Sequence, residues 1–536
     1  MIQKHLRCFA SALTAFALTV ATPGTIWAQH KNEASQIPTK TPIKHVIVIF
    51  QENVSFDHYF ATYPFAANLP AEPQFHAKDD TPRVNNLLAA GLLDENPNST
   101  QPFRLDRSQA VTCDQDHDYG DEQKAFNHGL MDKFPEAVGA GGPGCPDFGK
   151  GIGLTMGYYD GNTVTAFWNY AQHFAMSDNS FGTNFGPSTV GAVNLIAGDT
   201  GGATMLPFAA DGKTAGSPGG SIAGGLNSGA VIGDPRPGFD NCLLTPVLGT
   251  SKSTLITMSG TNVGDLLNKK HVTWGWFAGG FAVTGRNADG SLACGASTTL
   301  PQGTKSDYIP HHEPFQYYQS TANPNHLPAS DPALIGKTDQ ASHQYDLNDF
   351  WTALNEGRLP AVSFIKAKGA FDGHAGYSDP LNEQTFIVQT LNALQRAPEW
   401  KDMAVIIAYD DSDGWYDHAM DVVVNQSNVS DDALTGDGAC GITAAGGTPG
   451  RCGYGPRLPL LVISPFAKHN YVDHRVTDQS SILRFIEDNW DLGRIGGGSL
   501  DVKAGTLNGF FDFDGSKAHK LILDPGTGLA LQQGQD

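Results

Sequence analysis

The sequence predicts an α/β domain built around a mostly parallel sheet flanked by helices. Three observations lead there. Short apolar runs rich in β-branched residues recur along the chain, as strands buried on both faces of a parallel sheet do. Amphipathic helical patterns lie between them. Two of the apolar runs pass straight into acidic and amide side chains, and in an open α/β sheet ligands bind beyond the carboxyl ends of the strands.

The elements follow in chain order. Residues 1–28 read as a secretory signal peptide: Lys4 and Arg7 precede an apolar stretch from Phe9 to Ala21, and Ile26-Trp27-Ala28 ends in a small residue. There is no Arg-Arg pair, so the expected route is Sec-type export, to the periplasm or the medium. Residues 29–42 are polar with two prolines and are expected to be a linker. The catalytic domain is expected over 43–510. Ile43–Phe50 opens it, with Val46-Ile47-Val48-Ile49 an unbroken β-branched run. Ala361–Ile365, Met403–Tyr409 and Leu460–Ile463 are the further strands. Asn382–Trp400 sets Phe386, Ile387, Leu391 and Leu394 on one helical face. Thr477 or Asp478 caps a second helix, whose apolar face is Ile482, Leu483, Phe485 and Ile486. Residues 196–305 break the pattern. They are rich in Gly, Ser, Thr and Ala, and are expected to form an excursion or cap over the sheet. Residues 511–536 are a polar tail. No stretch after the signal reaches the ~18 apolar residues of a membrane-spanning helix, so no integral membrane segment is expected once the signal is removed.

The chain carries 34 Lys and Arg against 55 Asp and Glu, a net charge of −21. Loss of the signal removes two bases and no acid. A chain this acidic repels nucleic acid and anionic membrane surfaces. A phosphate-bearing substrate therefore needs a local positive centre, such as a metal ion. Of seven cysteines, Cys8 leaves with the signal, and the other six can pair in an oxidising compartment. Cys440 and Cys452 flank a Gly-rich loop and are the first expected pair. Proximity in sequence favours Cys113–Cys145 and Cys242–Cys294 for the rest. No C-x-x-C occurs, which disfavours a thiolate zinc site.

Three groups of residues could carry chemistry. Ile43–Phe50 leads into Gln51-Glu52-Asn53, and Met403–Tyr409 leads into Asp410-Asp411-Ser412-Asp413. Oxygen donors at neighbouring strand ends suit one divalent cation of unspecified identity, and adjacent aspartates repel strongly without one. An acidic pair at a strand end is equally often a solvated turn or a cap; the joint placement of the two pairs favours the metal. Next comes Asn184-Phe185-Gly186-Pro187-Ser188-Thr189, ahead of a helical stretch. Pro187 suits the first turn, and backbone N–H groups there favour a phosphate. Ser188 or Thr189 could be an attacking hydroxyl activated by metal coordination, or Ser188 could be only a cap. Finally, His117, His312 and His374 stand out among 18 histidines, all in loops, where functional residues concentrate; most histidines in such a chain are solvated or structural. Trp274, Trp276 and Phe277 are aromatic candidates for a cationic head group, but read more readily as core. Several rival signatures are absent: G-x-S-x-G, a complete P-loop and H-E-x-x-H.

These segments resemble the bacterial phospholipase C and acid phosphatase family. His45-Val46-Ile47-Val48-Ile49-Phe50-Gln51-Glu52-Asn53-Val54-Ser55-Phe56-Asp57-His58-Tyr59-Phe60 is similar to its opening motif. Asn184–Ser188, Asp372-Gly373-His374 and Asp410-Asp411-Ser412-Asp413-Gly414-Trp415-Tyr416-Asp417-His418 are similar to its other signatures. The resemblance runs from about 43 to 490. It implies an alkaline-phosphatase-like α/β fold and a hydrolase acting on phosphoric esters through a phosphoseryl intermediate at Ser188. It implies one metal bound by Glu52, Asn53, Asp410, Asp411 and Ser188, with His117, His312 and His374 contacting the phosphoryl or leaving group. His312 is preferred to His311 on its His-x-Pro-Phe pattern. The larger phospholipases C of the family carry extra C-terminal β domains and often a twin-arginine signal. This chain is therefore similar to the shorter, acid-phosphatase-like branch, with phospholipase C activity left open. The substrate is then a phosphomonoester or a phosphodiester, phospholipid head groups included. Two alternatives remain: a dedicated phospholipase C for phosphatidylcholine-type lipids, and a non-catalytic phosphate-binding protein on the same fold. Related folds also hydrolyse sulfate esters.

Overall fold

Runs of Val and Ile with no polar face can be buried only where both sides of a strand are covered. In the computed structural model those runs form the middle of the molecule's main sheet. The structure describes residues 33–531 other than 143, 207–221, 224–228, 244–253, 289, 437, 442–446 and 516–519. The expected signal peptide lies outside these residues, as do parts of the expected linker, excursion and tail.

The main sheet has eight strands. They are β1 His45–Gln51, β2 Ala175–Ser177, β3 Trp274–Ala278, β4 Gln344–Asp346, β5 Val362–Lys366, β6 Met403–Tyr409, β7 Leu460–Ile463 and β8 Tyr471–Asp473, in the order β4-β3-β5-β1-β6-β7-β2-β8. Every residue of β1, β5 and β6 is buried. Each fully buried Val or Ile contributes roughly 1.5–3 kcal/mol, so this central trio anchors the fold. From β4 to β6 all pairings are parallel. β7 runs antiparallel to both its neighbours, β6 and β2. The sheet is therefore mixed, with one reversed strand that hydropathy alone could not orient, because an apolar run reads the same in either direction.

Four helices matter to the site: α1 Tyr119–Phe126, α2 Ser188–Ala197, α3 Pro380–Arg396 and α4 Gln479–Trp490. Asp379 caps α3, its carboxylate accepting from the N–H groups of Leu381 and Asn382. Asp478, one of the two expected caps, starts α4 in a capping box with Ser481. α4 packs on α2.

The excursion expected over 196–305 is only partly outside the main sheet. A small five-stranded sheet is built from Gly201–Met205, Ile222–Ala223, Gly229–Val231, Arg236–Pro237 and Leu255–Met258. The chain then returns to the main sheet as β3, whose Trp274, Trp276 and Phe277 are fully buried. Trp274 stacks on His343 and Trp276 on Phe364, so these aromatics are core, as read from the sequence, and no head-group cage. The C-terminal tail docks on α3: Asn392 Nδ2 donates to Leu523 O at 2.7 Å and Gln395 Nε2 to Leu521 O at 2.8 Å. The cysteines pair as expected, Cys113–Cys145, Cys242–Cys294 and Cys440–Cys452. No helix of the described residues is long and apolar enough to cross a membrane.

Candidate active site

The register of two parallel strands creates the site. Gln51 of β1 pairs with Tyr409 of β6, so the next residues, Glu52 and Asp410, leave the sheet side by side. Asn53 and Asp411 follow them. All four are almost fully buried. Asp411 is fixed from its own loop, its Oδ1 accepting the Asp413 N–H at 2.7 Å.

Ser188 is brought to these carboxylates by α2. The helix lies against the end of β6 so closely that a Cβ on Gly191 would stand 2.1 Å from Asp410 O; only glycine permits the approach. Ser188 Oγ is then 3.1 Å from Glu52 Oε2 and 3.1 Å from Asp411 Oδ2. Thr189 points elsewhere: its N–H and its hydroxyl both donate to Asp234 Oδ1 at 2.9 Å. Of the two candidate hydroxyls, Ser188 is the one that faces the carboxylates. The Thr189 N–H at the start of α2, expected to be free for a phosphate, is taken up by the Asp234 carboxylate.

Other polar atoms of these residues lack hydrogen-bond partners among the described residues. Both side-chain polar atoms of Asn53 and Asp410 Oδ2 are buried without a hydrogen bond. An unsatisfied buried polar atom costs ~1–3 kcal/mol, and a cation bound beside it would offset that cost. Electrostatics agree. Burial pushes the Asp410 carboxyl well above the usual range, with the charge of Glu52 adding to it. Burial, then Glu52, holds Asp411 at about 7 against the pull of His117. Carboxyls that resist ionisation together need a positive charge between them. The donor set, carboxylate and amide oxygens with a hydroxyl, fits one hard or borderline divalent ion.

Part of that charge comes from a residue the sequence reading passed over. Lys366, the last residue of β5, is buried. It pairs with Glu52 Oε1 and lies 3.7 Å from Asp410 Oδ2. Burial pulls its ammonium down, but Glu52 and Asp410 outweigh this and hold it charged. His312 Nδ1 is 3.1 Å from Glu52 Oε1. Burial pulls that imidazole well below its usual value against the opposing pull of Glu52, so Lys366 is the main cation paired with Glu52.

The remaining histidines form a second cluster. His117 Nδ1 donates to Gln115 O at 2.8 Å and His374 Nδ1 to Ala375 O at 2.6 Å. Both rings are thereby oriented with Nε2 free of those carbonyls, and their centroids lie 6.1 Å apart. They differ in charge. Burial lowers His117, but Asp411, Asp114 and Asp234 outweigh it and raise it to about 10, whereas burial dominates at His374 and lowers it. Asp413 Oδ1 stands 3.6 Å from His117 Nδ1. Ligating atoms of Asp114, His117, His374 and Asp413 lie within 4.8 Å of one another, so this group too is of a composition that could hold a metal.

A family model described as the Phosphoesterase family matches residues 43–493. The chain belongs to the phosphoesterase family. Among its relatives is the non-hemolytic phospholipase C of Pseudomonas aeruginosa, 23% identical over 526 residues, which are 92% of this chain and 61% of the relative. Another is the non-hemolytic phospholipase C of Burkholderia pseudomallei, 25% identical over 457 residues, 83% of this chain and 55% of the relative. Phospholipase C A of Mycobacterium tuberculosis is 23% identical over 458 residues, 83% of this chain and 72% of the relative. The chain thus spans between about half and three quarters of these proteins. A solved protein of the alkaline phosphatase superfamily from Vibrio parahaemolyticus overlaps 64% of each chain at 12% identity, with a TM-score of 0.26, too slight a likeness to argue from.

In this member of the family, the structure brings together Glu52, Ser188, Asp410, Asp411 and His312, leaves Asn53 buried and unpaired next to Glu52 in the chain, and sets His117 and His374 as a pair. Lys366 was missed because the strand pattern seemed complete at Ile365; reading one residue further to the strand's carboxyl end would have found it. Glu122 of α1 had no sequence signal at all. It bridges two loops that are far apart in the chain.

Proposed function

We propose that this chain is an exported, metal-dependent phosphoric-ester hydrolase that uses Ser188 as its nucleophile. One observation carries the reading. The hydroxyl of Ser188, at the start of a buried helix, lies within hydrogen-bonding distance of two carboxylates, Glu52 and Asp411, which leave the ends of two adjacent buried strands. Glu52, Asn53, Asp410, Asp411 and Ser188 would hold the divalent ion, which when bound would neutralise phosphoryl oxygens and favour ionisation of the serine. Ser188 Oγ gives its proton to one of the two carboxylates that accept it and attacks phosphorus in line. The bond from phosphorus to the alcohol oxygen breaks, and that oxygen takes a proton. The resemblance sets His117, His312 and His374 against the phosphoryl or leaving group; His117, whose proton affinity is raised, is favoured as the donor of that proton over His312 and His374, where it is lowered. His312 or His374, neutral, then accepts the proton of the water that opens the phosphoserine. The three disulfides and the signal-like first 28 residues support export.

The relatives' names favour a second reading of the substrate, a lipid phosphodiester. The acid-phosphatase-like reading is kept first because the aromatic residues proposed from sequence for a choline cage lie in the core. Assay of one preparation on an aryl phosphate, its phosphocholine diester and phosphatidylcholine separates the two. Turnover of the monoester, inhibited by phosphate and vanadate more than by sulfate, supports the proposal. A metal-loaded protein inert towards all three would overturn it in favour of a binding protein, and stronger inhibition by sulfate would point to sulfate esters.

A further inference from the structure

Glu122 lies in the first turn of α1, is buried, and among the described residues forms no ion pair with a Lys or Arg, the charge of His117 acting on it only weakly. Its carboxylate spans two segments. Oε2 accepts the Gly186 N–H at 2.9 Å, and Oε1 accepts the Ser412 hydroxyl at 2.8 Å. Gly186 is two residues before Ser188 and sits at φ +116, a backbone region that side-chain-bearing residues rarely adopt. Ser412 follows Asp411 directly. The charge of Asp411 stands close enough that, after burial, it is the main influence raising Glu122 to about 8. A carboxyl is thus kept where stability alone disfavours it, and residues that break a local rule in this way cluster at functional sites.

We propose that Glu122 is a positioning residue that clamps the turn carrying Ser188 onto the loop carrying Asp411, and so sets the separation of the serine hydroxyl from that carboxylate. This rests on Ser188 and Asp411 having the roles proposed above. A second bridge joins the same two loops from the other side. Gln479, the first residue of α4, accepts the Thr183 N–H at 2.6 Å and donates to Asp410 O at 2.7 Å. That bridge keeps the two loops attached when Glu122 is changed, so the clamp can be tested without unfolding the site. The acceptor that Gly186 needs is a side-chain carbonyl oxygen, which a glutamine also offers. Its amide can donate to the Ser412 oxygen, whose hydroxyl rotates.

The test compares Glu122→Ala and Glu122→Gln in the full chain. Readouts are kcat and KM on an aryl phosphate, and hydrogen–deuterium exchange of the peptide containing Gly186. In Glu122→Ala, kcat falls about 100-fold, the scale of a small misplacement of reacting groups. KM changes less than about 3-fold, and exchange at Gly186 rises while α4 stays protected. Glu122→Gln keeps kcat within about 5-fold and keeps Gly186 protected. The clamp is overturned if Glu122→Ala retains kcat and protection, if Glu122→Gln falls as far as Glu122→Ala, or if α4 loses protection along with Gly186. If the wild type turns over no phosphoester, the proposed function fails. The clamp is then decided by exchange alone: Gly186 unprotected in the alanine variant and protected in the glutamine variant supports it, and any other pattern overturns it.

Discussion

The two halves of the site are built differently. Glu52, Asn53, Asp410 and Asp411 emerge from the ends of two adjacent, fully buried parallel strands, and their positions follow from strand register. His117 and His374 come from loops, and each is held by one hydrogen bond from Nδ1 to a nearby backbone carbonyl. The first half has buried polar atoms without hydrogen-bond partners, whereas the second half has its rings already oriented. The difference fits the proposed division, in which the strand-end half would take up a cation and the loop half would meet the substrate.

The largest effect should come where the halves meet. Ser188→Ala removes the proposed nucleophile, and turnover of an aryl phosphate should drop by about 10⁴-fold or more with an unchanged melting temperature. Activity near wild type would end the mechanism. Next, Asp411→Asn should strike only the strand-end half. Metal retained after dialysis, measured by elemental analysis, should fall with a loss of affinity of at least about 100-fold, as for changes to metal sites generally. Unchanged metal content would remove Asp411 from the ligand set. His117→Ala should do the reverse, costing about 100-fold in kcat, within the usual range for a proton-transfer group, while metal content stays at the wild-type level. A loss of metal there would erase the distinction between the halves and move His117 to a cation site.

The smallest effect concerns pH. Asp411 is held at about 7 and Glu122 at about 8, each raised first by burial. A carboxyl whose folded-state pKa is raised binds a proton in the native state after the unfolded chain has released it. Stability therefore falls as pH rises from the unfolded value near 4 towards 7 or 8. Metal-stripped protein should lose a few degrees of melting temperature between pH 5 and pH 8, and added divalent cation should remove much of that slope. A metal-stripped protein that gains stability over the same interval would show that these carboxyls ionise freely and that the strand-end half has no need of a cation.

The chain's own pattern determined the strands β1, β5, β6 and β7, the bodies of helices α3 and α4, the Asp478 cap and the strand-end acids, because burial on both faces and helical periodicity are written in local composition; it missed the Asp379 cap, which starts α3 at Pro380 rather than Asn382. Even the pairing of the cysteines followed from their spacing. Other features were out of reach of any local window. The reversed direction of β7 and the return of Trp274–Ala278 to the main sheet depend on which strand is neighbour to which. The charge on Lys366 depends on the carboxylates it faces, and the lowered proton affinity of His312 on its burial. The choice of Ser188 over Thr189, and of His117 as the charged imidazole, came from distances between residues remote in sequence. Sequence could place oxygen donors at the ends of strands because hydrogen-bonded strand geometry is local and periodic. Only the tertiary structure could say which of them share a volume and which are charged, because desolvation and Coulomb energy depend on everything that surrounds a group.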